Sequence, residues 1–164
     1  MFWYTLLVLL HVLASFAFVA AHGVGAVVAL RLPRERALDR IRAMLEVVEA
    51  ARPAVQLSLW LVYITGAVLG FLGGWWRTAW IWISLVLLVA VTAWMSYAAD
   101  RAYTPLKRAV GLAYREGLRI QPPRDPLRPE EIAEIVSDMR LGPVLLAGYG
   151  AIVLIIALMV LKPF

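Results

Sequence analysis

Cysteine is absent from the 164 residues. That excludes disulfides, thiolate metal centres and thiol catalysis. Histidine is almost absent, with His11 and His22 the only two. Charged residues make up 16% of the chain, against about a quarter in a soluble domain. The 11 acids all fall within residues 31–53 and 100–142, so the long apolar runs contain no carboxylate pair and no carboxylate proton relay. No catalytic constellation is legible, and whether the chain is an enzyme stays open.

What fills the chain is apolar sequence, 63% of it. Four runs, about residues 3–30, 54–74, 79–99 and 143–161, approach or exceed the roughly 20 residues that cross a 30 Å hydrocarbon core. Backbone polar groups must be satisfied within a segment in lipid, so the expected class is all-α. A single polytopic membrane domain is expected over 1–164, an up-and-down bundle of four transmembrane helices with short cytoplasmic amphipathic helices. The first run has no Lys or Arg ahead of it and is longer than the roughly 7–15 apolar residues of a signal peptide. It reads as a span.

Of the 16 basic residues, 14 lie in 31–53 and 100–142. The positive-inside rule puts both segments in the cytoplasm and both termini outside a bacterial inner membrane. The net charge of +5 then speaks for topology and not for nucleic acid. The expected partners are the bilayer and either further copies of the chain or a larger membrane complex. Segment 31–53 predicts an amphipathic helix that lies on the inner surface or extends the first span, with Pro53 in the first turn of the second span. Residues 101–117 predict a short helix, and 129–141 another with Pro129 at its first position. The tight Gly73-Gly74-Trp75-Trp76-Arg77 connection predicts an antiparallel hairpin of spans two and three, with Trp75, Trp76, Trp80 and Trp82 as outer-boundary anchors.

Both histidines occupy the first span. At about 100° per residue, Ser15, His22, Gly25 and Ala29 fall within about 40° of His11, with Phe18 between the imidazoles. Leu6, Leu9, Leu13, Phe16, Val24 and Val27 lie opposite, which predicts that the histidine face points into the bundle. Eleven positions separate the imidazoles by about 16 Å, too far to share one ligand atom. Met95 falls near the depth of His22, and Met159 near that of His11. The candidate cofactor-binding residues are therefore His11, His22, Met95 and Met159, with His11 and His22 as the metal ligands. His/Met sets suit haem iron and copper(I). Three other readings stand beside this one. The histidines can be buried hydrogen-bond partners of Ser15, Tyr63, Ser84, Thr92, Ser96 or Tyr149. One histidine can serve a cofactor with its second ligand outside the chain, or a bis-histidine haem can bridge a homodimer. Arg52, Asp100 and Arg101 form a candidate polar group at the inner mouth. Gly66-x-x-x-Gly70, Gly148 and Gly150 suggest close helix approach.

The run LLVLLHVLASFAFVAAHGVGAVVAL followed by basic residues resembles uncharacterised four-helix bacterial integral membrane proteins of a domain-of-unknown-function group. More distantly it is similar to the copper-resistance D domain and to the four-helix bacterial protoporphyrinogen oxidase. The resemblance implies a haem-associated role for His11. The oxidase group's intramembrane lysine has no counterpart in these spans. The function expected is a membrane-embedded haem- or metal-binding redox or accessory protein, with b-type haem or copper as cofactor. The alternatives are a noncatalytic scaffold or accessory subunit without cofactor, and copper handling.

Overall fold

The computed structural model describes residues 2–117 and 119–163. Among these residues five helices form: α1 (Phe2–Arg31), α2 (Leu38–Leu72), α3 (Ala79–Ala109), α4 (Pro129–Ser137) and α5 (Gly142–Leu161). All but α4 are long and apolar enough to cross a membrane. Two short 3-10 turns, Leu32–Arg34 and Trp75–Arg77, and a two-stranded antiparallel ribbon, β1 (Tyr114–Glu116) and β2 (Arg119–Gln121), are the other regular elements.

Helix α1 packs along α2, and α3 packs along α5. The backbones of α2 and α3 approach less closely and are linked by side chains. Val62 and Leu88 share a small buried cluster with Ala14 and Ile155, and Tyr63 Oη lies 3.4 Å from Thr92 Oγ1. At the apex Gly70 makes room for Trp76 and Ile81. A Cβ there would stand 2.9 Å from the Trp76 ring. The glycine pair of α2 thus accommodates side chains, Trp76 at Gly70 and His11 at Gly66, where close backbone approach was expected. Trp80 is buried, so this member of the expected boundary girdle is a core residue.

The tightest packing gathers at the end opposite Trp75. Leu32, Ile41, Leu45, Leu106, Val110 and Val136 are all but inaccessible there. Helix α4 closes this cap with Ile132 and Val136. Its first turn is held by Glu131, which accepts from the Arg128 backbone N–H at 3.1 Å and from Arg128 Nη2 at 3.0 Å. Long helices are apolar on most sides and leave lipid-sized faces exposed. The cap alone has the dense, one-sided burial of a water-soluble core.

Three expectations about the connecting segments are corrected. Residues 38–53 neither lie apart nor extend α1; they are the first turns of α2, so Pro53 is interior to that helix. Proline there withdraws the N–H that would bond the Glu49 carbonyl, and the helix nevertheless continues through it, its earlier turns packed in the cap by Ile41 and Leu45. Residues 101–117 are not a separate helix. α3 runs on to Ala109 and stops at Gly111, whose φ is 77°. Leu112 N–H bonds the Lys107 carbonyl at 2.9 Å and Gly111 N–H bonds that of Arg108 at 3.3 Å, the paired bonds of a left-handed glycine terminus. The chain then turns into the ribbon, with Glu116 facing Arg119 and Gly117 at φ 61° in the loop. The helix expected over 129–141 is shorter and ends at Ser137.

Candidate functional site in the interhelical cavity

The separation of α2 from α3 leaves a cavity of ≈ 350 Å³ between the two helix pairs, reaching the underside of the cap. That size lies within the range of small-molecule sites, about 300–1,000 Å³. Its walls are mainly apolar, drawn from α1, α2, α3 and α5. Four polar groups stand where the cavity meets the cap: Arg52 of α2, Asp100 and Tyr103 of α3, and Arg115 of β1. Deeper, His22 of α1 lines the wall together with Thr92, Met95 and Ser96 of α3.

Small residues on α1 create the space. Ala21, Gly25, Ala26 and Ala29 line the cavity beside His22, and no side chain fills the gap between them and α3. The His22 imidazole is stacked on Phe18, centroids 5.6 Å apart and planes 15° from parallel, and it also meets the Tyr149 ring at 5.6 Å. Phe18 therefore sets the orientation of the imidazole. Tyr149, expected as a hydrogen-bond partner, contacts it through the ring.

Met95 shares the cavity with His22. Its thioether lodges against Gly148 of α5, where a Cβ would collide with Met95 Sδ. The notch holds the sulfur near the cavity wall and explains the small residue in α5. Gly150 has open space around it and carries no comparable contact.

His11 is placed differently. Its Nδ1 lies 2.8 Å from Thr65 Oγ1, and a Cβ at Gly66 would come within 3.1 Å of its Cε1. Thr65 Oγ1 donates its single proton to the Leu61 carbonyl at 2.5 Å, so His11 Nδ1 is the donor to Thr65. Ser15 bonds the backbone carbonyl of His11, not the ring. Met159 packs against the Ala14, Val62, Leu88 and Ile155 cluster, one turn beyond His11. Thr65 was not among the partners read from the sequence. Its position on α2, eight residues before Gly73, gave no sign that it would face α1.

The polar mouth also differs from the expected trio. Arg52 Nη2 pairs with Glu49 Oε1 at 2.9 Å, and Lys107 of α3 binds the same carboxylate oxygen, joining α2 to α3 beside the mouth. Asp100 faces the cavity, but Arg101, about 100° further round the helix, turns to another hollow and bonds Tyr97 Oη at 3.1 Å. Arg115 takes the place expected for Arg101. The sequence signal for it was the Glu116-Gly117 turn, which the assumption of a helix through 101–117 concealed. Among the described residues no cluster of three His, Cys, Asp or Glu side chains gathers to hold a metal ion.

Comparison with protein-family models, with curated proteins and with solved structures finds no match. The reading of this site rests on its own chemistry.

Proposed function

We propose that this chain is a four-span, up-and-down protein of the bacterial cytoplasmic membrane, and that its interhelical cavity holds a b-type haem or a similar amphipathic redox cofactor. The observation that carries the reading is the position of His22. One of only two imidazoles in the chain opens on an apolar cavity whose rim is polar, where an unfilled space beside a costly polar group calls for an occupant. The cap of 31–53 and 100–142 residues, rich in arginine, faces the cytoplasm, and the Trp75–Arg77 turn faces outward.

The residues present suit such a group. His22 would be the iron ligand from α1, and Met95 supplies a thioether from α3 on the same cavity. Phe18 orients the imidazole, the mainly apolar wall suits a macrocycle, and the arginines of the rim suit acidic substituents. A bound haem supplies reversible one-electron transfer, which needs no carboxylate relay. The test is an absorbance spectrum of the detergent-purified protein expressed with haem supply, reduced minus oxidised. A Soret band lost in His22→Ala and retained in His11→Ala supports the reading; a colourless wild-type preparation sinks it.

A second reading, a noncatalytic scaffold, is favoured by the His11–Thr65 bond and by the seating of Met95 against Gly148, both of which are packing roles. Under it, replacing both histidines by Asn leaves assembly and partner capture unchanged. Copper handling would rest on His22 and Met95 alone, and metal analysis of the same preparation separates it from haem.

A further inference from the structure

The mouth of the cavity is built by elements that meet only in the folded chain. β1 alternates its side chains: Tyr114 and Glu116 line a hollow on the α4 side of the ribbon, and Arg115 lines the interhelical cavity. The ribbon thereby carries a guanidinium to the rim, where Arg52, Asp100 and Tyr103 already stand. The charges there are unevenly engaged. Glu49 is shared by Arg52 and Lys107, so its single negative charge faces two cations. Among the described residues neither Arg115 nor Asp100 enters an ion pair. The charged groups that line the rim are thus two guanidiniums and one carboxylate; Arg52 is engaged by Glu49, and Arg115 is the cation left uncommitted, with Asp100 the carboxylate left uncommitted.

We infer that the cavity selects an amphiphile with an acidic head, its apolar body between the helix pairs and its carboxylate or phosphate bound by Arg115 at the rim. This rests on reading the cavity as a ligand site and names the class of ligand it takes. An arginine fork binds a carboxylate or phosphate through two parallel N–H donors, a geometry a neutral head cannot exploit. The apolar wall demands that the rest of the ligand be oily, and the rim opens at the cap, so the acid group stays at the polar end. Haem with its propionates and a long-chain fatty acid share this chemistry, and the two sources are separable.

The experiment compares acid with ester. Haemin and haemin dimethyl ester are titrated into the detergent-purified full chain by Soret absorbance. A fluorescent anthroyloxy fatty acid and its methyl ester are titrated in parallel by emission. The acid form is expected to bind wild type at least tenfold more tightly than its ester. Arg115→Gln abolishes that preference, and Arg115→Lys restores part of it. Arg115 is exposed, so both variants are expected to elute from size exclusion as wild type does. Haemin binding that requires His22 but shows no acid preference, or a preference that survives Arg115→Gln, overturns the inference and leaves the haem reading standing. Acid-selective binding of the fatty acid with no haemin binding does the reverse. If no probe binds, both fall.

Discussion

His11 and Thr65 form a hydrogen bond across the α1–α2 interface, Nδ1 to Oγ1 at 2.8 Å, with Gly66 making the space for the ring. It ties the one imidazole that does not reach the cavity to the neighbouring helix, and it separates the roles of two histidines that share a face. Thr65→Val keeps the shape and removes the acceptor. It is expected to lower stability by about 0.5–2 kcal/mol, the range for polar contacts between membrane helices. The readout is the unfolding midpoint in mixed detergent micelles. The His22-dependent absorbance, where present, stays unchanged.

Gly148→Ala places a methyl group on Met95. Overpacking of this kind costs about 1–3 kcal/mol when the neighbour must move. Met95→Ala relieves the collision, so the double variant is expected to be more stable than the sum of the single losses requires. A double-mutant cycle on thermal unfolding measures the coupling, and simple additivity contradicts the notch.

The Glu49–Lys107 pair fastens α2 to α3 beside the mouth, with the Lys107 side chain 12% exposed and Glu49 41% exposed. Lys107→Met removes the cation and keeps the aliphatic stem. The expected loss is modest, about 1 kcal/mol, since Arg52 still serves the partly exposed carboxylate. Hydrogen–deuterium exchange should rise in 45–52 and 103–109 and stay constant near Trp75. Equal exchange in both regions refutes a local fastening.

Glu35 and Glu131 hold the starts of α2 and α4. Backbone N–H groups of Ala37 and Arg36, followed by the Arg40 guanidinium, hold the Glu35 carboxyl below its ordinary range. The Arg128 side chain and its backbone N–H do the same for Glu131. A depressed carboxyl contributes stability that is present above the unfolded-state value and lost as pH falls through the folded one. Both turns should therefore be unaltered between pH 8 and about 5 and loosen only below the usual carboxylate range near 4.3. Carboxyl carbon NMR titration of the two glutamates checks this. A midpoint at or above the free value for either would show that its bonds to these N–H groups do not form.

Because the chain lacks cysteine, single cysteines report topology without background. Ser137→Cys, at the end of α4, should react with a membrane-impermeant maleimide only in inside-out vesicles, and Arg77→Cys only from the outer side. Labelling of both from one side would overturn the proposed orientation.

Composition and spacing alone determined the number of long apolar helices and the inward direction of the His11–His22 face. Both follow from local rules, the run length that lipid demands and the 3.6-residue period that places polar groups on one side. The small residues of α1 were equally legible, though their consequence, a cavity, was not. The ends of elements were misread where a single backbone conformation decides them. Gly111 terminates α3 through a left-handed φ, and Pro53 lies inside α2 because the turns before it are helical and pack into the cap through Ile41 and Leu45. Tertiary structure alone decided which partner each side chain met: Thr65 for His11, Gly148 for Met95, and Arg115 for the mouth in place of Arg101. Those choices depend on the distance between α2 and α3 and on a ribbon folding back under them. Such long-range placements arise from packing the whole chain at once, and no window of neighbouring residues encodes them.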